Sequence, residues 1–298
     1  METLGKNTKI LIVGLGLIGG SYAKALTDAG FTVGAIDTNK NSIKYALDNG
    51  LISSGRNEPE GAYIGEFDLV VFALYPKIFT AWIAAHQGAL KRGALLTDVT
   101  GVKCSVVYEI QHMLRDDLEF IGAHPMAGRE VSGVENACAE IFRGANYIVT
   151  PTEKNTKGAI EICKSLGRVL GFGNISELSP ERHDEMIGFL SQLTHCIAVS
   201  LMVSKDTDEL AKYTGDSFRD LTRIAKINDE MWSELFLLNR ERLLFEMDRF
   251  AARFFELRAC IENGDREGMR EMMRLSTRRR ENCEKEGSAR KNRINKIV

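Results

Sequence analysis

The run Ile10-Leu-Ile-Val-Gly14-Leu-Gly16-Leu-Ile-Gly19-Gly20-Ser21 sets three glycines at the spacing G-x-G-x-x-G, between an apolar strand-like stretch and a helix-like one. Each has its own task in such a turn. Gly14 permits the tight reversal, Gly16 lets a pyrophosphate approach with no Cβ in the way, and Gly19 lets helix pack close to strand. The helix that follows offers the N–H groups of its first residues, Leu17 and Ile18 among them, and a partial positive charge to the phosphates. The next strand-like stretch, 32–36, runs into Asp37, whose carboxylate is placed to hold a ribose diol. Its charge repels a 2′-phosphate and so favours NAD over NADP, a preference that the nearby Lys40 tempers.

Histidine is scarce, five residues in all, so each can be weighed. His124 follows the apolar stretch Phe120-Ile-Gly-Ala and precedes Pro125-Met-Ala-Gly128-Arg129-Glu130. That places it at the carboxyl end of a strand, the edge of an open α/β sheet where ligands bind. A neutral imidazole there can accept a proton near pH 7, and the same position also suits a histidine hydrogen-bonded at a strand end. A similar strand end carries Thr97-Asp98-Val99-Thr100-Gly101-Val102-Lys103, where Thr100 can offer a hydroxyl to a substrate and Asp98 reads as a cofactor contact. Ser191 and His195, four apart in a helical pattern, share one face. Arg219 and Arg223 follow Thr214-Gly215-Asp216-Ser217 at helical spacing. They suit a substrate carboxylate, or else pair at the surface with Asp216 and Asp220. His86 and His112 read as surface or structural residues, while His183, just inside a helical stretch, is ambiguous and leans to a structural role.

The elements needed to position these groups are legible. Apolar β-rich runs at 9–13, 32–36, 68–74, 94–98, 118–123 and 146–149 alternate with helical stretches, which predicts a mostly parallel Rossmann-type sheet with crossover helices. A helix near 153–170 and a strand near 174–178 complete that domain, assigned to residues 1–178. At Ser179-Pro180-Glu181 the pattern changes to a helix start, and no proline follows. Residues 179–298 therefore form an all-α domain. Leu243, Met247, Phe250, Phe254, Leu257 and Ile261 lay one stripe along a long helix, read as bundle core and wide enough for a homodimer interface. The basic stretch from Arg278 to Lys296 is interrupted by Glu281, Glu284 and Glu286 and reads as a solvated helix end.

The 298 residues carry a formal net charge of -2, with 44% hydrophobic and 27% charged residues, which argues against nucleic acid or a membrane as main partner. Six cysteines show no C-x-x-C pair, so neither a metal site nor a disulfide framework is suggested. With no recognisable targeting segment, a cytoplasmic location is expected.

Taken together these motifs resemble the prephenate dehydrogenase family, NAD(P)-dependent enzymes of tyrosine biosynthesis that include arogenate-using relatives. The resemblance rests on the glycine turn, on Gly101-Val102-Lys103, and on Gly122-Ala-His124-Pro125-Met-Ala-Gly128-Arg-Glu130. It extends through Ser179-Pro180-Glu181-x-His183-Asp184, Leu193-Thr194-His195, Phe218-Arg219-Asp220-x-Thr222-Arg223-Ile224-Ala225 and Met231-Trp232. It implies NAD-dependent oxidative decarboxylation of prephenate to 4-hydroxyphenylpyruvate, by a homodimer built on the helical domain. On the same basis, His124 accepts a hydrogen bond from the C4 hydroxyl of the substrate, and Arg223 binds a substrate carboxylate. His195 lies near the substrate side chain, and Glu130 and Asp220 near the mouth of the site; Ser191 is assigned to substrate binding through the face it shares with His195. Many relatives carry serine at the position of Gly101, and Thr100 is the nearest hydroxyl able to replace it. Arogenate dehydrogenation is the nearest rival activity, and a non-catalytic NAD-sensing protein is the alternative from another class. A β-hydroxyacid dehydrogenase would commonly use a helical-domain lysine, and no segment here resembles that site.

Overall fold

The computed structural model describes residues 4–129, 131–206 and 209–294, with side chains through residue 284. The chain forms two compact units, residues 1–240 and 241–298. The first is built on eight strands: β1 (Lys9–Val13), β2 (Thr32–Ile36), β3 (Ser54–Arg56), β4 (Leu69–Phe72), β5 (Leu95–Asp98), β6 (Glu119–Met126), β7 (Asn146–Thr150) and β8 (Asn174–Glu177). They lie in the order β3-β2-β1-β4-β5-β6-β7-β8. The order reverses direction between β1 and β4, and the carboxyl ends of those two strands frame the crevice where such sheets take ligands.

Strand geometry sends successive side chains to opposite faces, and both faces are covered. On one, Ile10 and Ile12 meet Tyr22 and Leu26 of the helix Leu17–Asp28 and Cys163 and Leu166 of the helix Lys157–Val169. On the other, Leu11 and Val13 join a cluster with Phe79, Ile83 and Ile110, from the helices Pro76–His86 and Cys104–Met113. Double coverage explains why the central strands read as unbroken apolar runs.

Two features depart from the pattern read in the sequence. β3 is a polar edge strand of three residues, held by its backbone pairing to β2, so it left no apolar signal. β7 runs antiparallel to β6. Among the described residues between those two strands the helical elements are short 3-10 turns at Val134–Asn136 and Ala139–Phe142, and without a crossover helix the chain returns antiparallel. β6 is also longer than its apolar run: it pairs with β5 through Ile121 and with β7 from Gly122 to Met126. His124 therefore lies within β6, beyond the point where β5 ends.

The compositional change at Ser179 is not where the compact units divide. The helices from Pro180 to Leu238 belong with the sheet: Asp184 accepts hydrogen bonds from the backbone of Lys103 and Cys104, and Leu235 lies in the same apolar cluster as Val102 and Phe120. The second unit consists of most of the helix Arg240–Glu262 and the helix Arg266–Ile294, joined through Gly264 at φ +65°. Its apolar stripe is not bundle core within one chain. Leu243 is buried, but Met247, Phe250, Phe254 and Ile261 are exposed, since two helices alone cannot enclose a stripe that wide.

Candidate active site

The glycine turn begins at the end of β1. Gly14 has φ +96°, and a Cβ there would lie 2.5 Å from the carbonyl oxygen of Ala73 beyond β4. At Gly19 a Cβ would fall 1.9 Å from the Gly14 carbonyl oxygen, so only glycine allows this closeness of helix and turn. Gly16 differs: a Cβ there would meet nothing within 4 Å, so the turn leaves open space in front of this residue. No side chain caps the helix Leu17–Asp28, and no acidic residue sits in its first turn. The N–H groups at that end and the space before Gly16 form a cradle of the kind that receives a pyrophosphate. Asp37 follows β2 and accepts from Leu15 N–H at 2.6 Å and from Asn39 N–H at 2.8 Å, so the acidic residue also braces the turn. Lys40 is exposed at the start of the next helix, Lys40–Asp48.

The end of β5 is a buried ionic lock. Lys103 and Asp98 are fully buried with Nζ and Oδ2 2.7 Å apart. Lys103 also donates to Ala123 O at 2.6 Å and to Thr100 Oγ1 at 3.2 Å, while Asp98 Oδ1 accepts from Ala123 N–H at 3.0 Å. Burial lowers the Lys103 ammonium below its ordinary range, with Asp98 working against that shift. Both polar groups of Ala123, the residue before His124, are thereby held. This corrects two expectations. Asp98 is engaged by Lys103, Thr100 and Ala123 rather than turned toward a cofactor, and the Thr100 hydroxyl is tied to Asp98, Val102 O and Lys103 rather than offered to a substrate. A carboxylate buried at a strand end needs partners close by, and these are the groups that supply them.

His124 is half-buried. Its Nδ1 lies 2.8 Å from His183 Nε2, and His183 Nδ1 lies 2.7 Å from Asp184 Oδ1. His183, for which the sequence left a structural and a site role open, is completely buried and lies against His124. Asp184 accepts in addition from Lys103 N–H at 2.7 Å and Cys104 N–H at 2.8 Å, at the start of the helix Cys104–Met113. The other side of the His124 ring faces Gly101, where a Cβ would lie 3.9 Å from Nε2 and 3.5 Å from Leu235 Cδ1. Burial, then the neighbouring His183 and Lys103, hold the His124 imidazolium well below its ordinary range. Burial lowers His183 as well, against the pull of Asp184. Burial works to raise the Asp184 carboxyl, but His183 and the two backbone N–H groups outweigh it and the net shift is downward.

These shifts give stability a pH dependence with a definite sign. Both imidazoles bind protons more weakly in the folded chain, so unfolding takes up protons below the ordinary histidine value of 6.5. Their contribution is complete above that pH and is lost as pH falls from it toward the lowered folded values. Urea denaturation of wild type between pH 6.5 and 5 should show a steeper decline than His183→Gln, by up to about 1.4 kcal/mol per pH unit. Parallel profiles would mean that His183 binds protons equally well in both states.

Helix Asp229–Leu238 links this cluster to His195. Leu235 lies beside Gly101, and Trp232, one turn earlier, stacks on the His195 ring at 3.7 Å between centroids. His195 Nδ1 donates to the backbone carbonyl of Ser191, one turn earlier, at 2.9 Å. The helix carrying them contains a π-turn, Gly188–Gln192, a device frequent at functional sites. The segment Arg223–Ala225 packs on the helix Leu193–Val203, which places Arg223 near the His195 helix, on an exposed surface. Arg219 is paired with Asp216 and donates to Thr214 O, the surface arrangement that the spacing also allowed. Asp220 is exposed, and Glu130 lies outside the described residues. His183, Asp184 and Trp232, like Lys103, stand in the motifs that carry the resemblance, but no spacing marks His183 as a neighbour of His124 or Trp232 as a neighbour of His195, because those partners lie far away in sequence.

The mostly parallel sheet, glycine turn and acid after β2 define an α/β dinucleotide-binding protein of the oxidoreductase type. Residues 22–171 match the nucleotide-binding domain of prephenate dehydrogenase, and residues 179–275 match the dimerization domain of that enzyme. The chain belongs to the prephenate dehydrogenase family. It is 32% identical over 269 residues to prephenate dehydrogenase of Bacillus subtilis, covering 87% of this chain and 72% of that protein. It is also 32% identical over 280 residues to cyclohexadienyl dehydrogenase of Zymomonas mobilis, covering 91% and 94%. Among solved structures, prephenate dehydrogenase of Aquifex aeolicus in complex with hydroxyphenyl propionate and NAD+ superposes with a TM-score of 0.84 at 32% identity, covering 93% of this chain and 98% of that one.

Proposed function

We propose that this chain catalyses the NAD-dependent oxidative decarboxylation of prephenate to 4-hydroxyphenylpyruvate and CO2. The observation that carries the reading is His124, held past the end of β5 with Nδ1 tied inward and Nε2 beside Gly101. NAD held in the glycine turn supplies the acceptor for the C4 hydride. His124 holds the C4 hydroxyl proton at Nε2 and returns it to the same oxygen once loss of the ring carboxylate as CO2 has made the ring aromatic. Aromatisation drives the reaction, so the protein chiefly fixes geometry and charge. Gly101 places no hydroxyl beside the imidazole, which leaves His124 as the side chain assigned to that proton.

Arg223 is the proposed anchor for a substrate carboxylate, with Asp220 and Glu130 at the mouth and Ser191 and His195 by the side chain. His195 is an imidazole rather than a carboxylate, which favours the ketone of prephenate over the ammonium of arogenate. Arg223→Ala should raise KM for prephenate by at least about 10-fold with kcat within about threefold, because an anchor of this kind binds ground and transition states alike. A kcat loss at unchanged KM would remove Arg223 from that role.

Residues 179–298 are proposed as the part through which two copies associate. Leu244, Phe245, Phe250, Phe254, Phe255 and Ile261, large apolar side chains on one helix, are exposed in one chain, the kind of surface that marks an association site. The deciding experiment follows NADH or NADPH formation at saturating prephenate or arogenate, with NAD or NADP. Prephenate with NAD should be the fastest combination. Faster turnover of arogenate would move the assignment to that substrate, and no turnover of either would overturn it.

A further inference from the structure

We infer that His183 and Asp184 are positioning residues that select the tautomer of His124, so that its lone pair lies on Nε2, on the Gly101 side. The inference deepens the role proposed for His124 and depends on it for its catalytic meaning. Its structural content can be tested separately.

Hydrogen-bond valence along the chain of three side chains carries it. Asp184 stands at the start of the helix Cys104–Met113, where its oxygens accept from Lys103 and Cys104 N–H at 2.7 and 2.8 Å. An ionised carboxylate only accepts, so His183 Nδ1, 2.7 Å from Asp184 Oδ1, carries a hydrogen and donates it. In a neutral His183 the lone pair then sits on Nε2. The group facing that lone pair at 2.8 Å is His124 Nδ1, which must donate. A neutral His124 with its hydrogen on Nδ1 keeps Nε2 unprotonated. The alternative, a resting His183 cation, is opposed by complete burial of that ring. Facing this pair are Lys103 and Asp98, already paired with each other, and the carboxylate in direct contact with His183 is that of Asp184.

The same chain can take up charge during turnover. When the substrate proton reaches His124 Nε2, the Nδ1 proton can shift to His183 Nε2, and the positive charge then rests beside Asp184. The shift reverses when His124 returns the proton to oxygen, so nothing is gained or lost. A residue that orients a catalytic imidazole in the wrong tautomer is costly: in the serine-protease triad, such a change lowers kcat by about 10⁴.

The test is long-range 1H–15N correlation on protein carrying 15N-histidine, at a pH above 7.5. The His124 signals are assigned by their loss in His124→Asn. Wild type should show His124 with protonated Nδ1 and bare Nε2. His183→Leu should lose that tautomer and lower kcat by about 10²-fold with KM within about threefold. His183→Gln, whose amide can donate to Asp184 and accept from His124, should recover at least about 10-fold of the loss. A hydrogen on Nε2 in wild type overturns the inference, and this measurement needs no folded His183 variant. So does a folded His183→Leu with unchanged tautomer and kcat. If the tautomer behaves as stated while neither prephenate nor arogenate is turned over, the tautomer assignment stands and the proposed function fails.

Discussion

Replacing His124 with asparagine is expected to lower kcat for prephenate by about 10³-fold while leaving KM within about threefold, the pattern of a group that acts on the transition state. Asparagine suits the test because its amide can still donate to His183 Nε2, so the buried neighbours keep a partner and the fold is spared. What disappears is the proton acceptor beside Gly101. The acid limb of the pH profile belongs to the same prediction. Since burial, His183 and Lys103 hold the His124 imidazolium below its ordinary value of 6.5, the base remains available to lower pH than a free histidine, and wild-type kcat should begin to fall only below that value. The limb should vanish from the residual activity of the variant. An unchanged kcat in His124→Asn would falsify the proton-acceptor role.

The second large effect concerns stability. Lys103→Met should destabilise the chain by about 3–5 kcal/mol in urea denaturation, because it leaves the Asp98 carboxylate buried without its countercharge. The cost comes from the abandoned charge more than from the lost pair. Accordingly, Asp98→Asn combined with Lys103→Met should recover more than half of the stability lost in the single variant. The geometry also predicts a functional consequence: Lys103 and Asp98 hold the carbonyl and N–H of Ala123, so the His124 backbone loosens when either is removed. A loss under 1 kcal/mol for Lys103→Met would mean that water reaches Asp98 and that the lock is not sealed.

Helix Asp229–Leu238 shows why the site resists a purely local description. It brings Leu235 to Gly101 and Trp232 to His195, joining two regions that lie about a hundred residues apart in the chain. The Gln192 amide donates to Leu235 O at 3.0 Å, and Asn239 donates to Gln192 Oε1 at 2.7 Å and to Asp184 O at 2.9 Å. These buried amides tie the π-turn, the end of that helix and the His183–Asp184 segment into one framework. Side chains so connected hold position better than residues on free loops.

The division between sequence and tertiary structure follows from how far each interaction reaches. The glycine turn, Asp37, the central strands and the helix start at Ser179-Pro180 were determined locally. Each depends on backbone conformation or on a two- or four-residue period, and β1 and β2 begin and end where the apolar runs do. Ser191 and His195 were likewise paired by spacing alone. The tertiary structure decided whatever depends on partners distant in the chain. It turned Asp98 and Thr100 inward to Lys103, ran β7 antiparallel for want of a crossover helix, and left the stripe from Met247 to Ile261 exposed within a single chain. It also set His183, 59 positions from His124 in sequence, within hydrogen-bonding distance of that ring. No periodicity encodes such a contact: a histidine buried by its own helix and one buried against another imidazole look the same until the sheet brings them together.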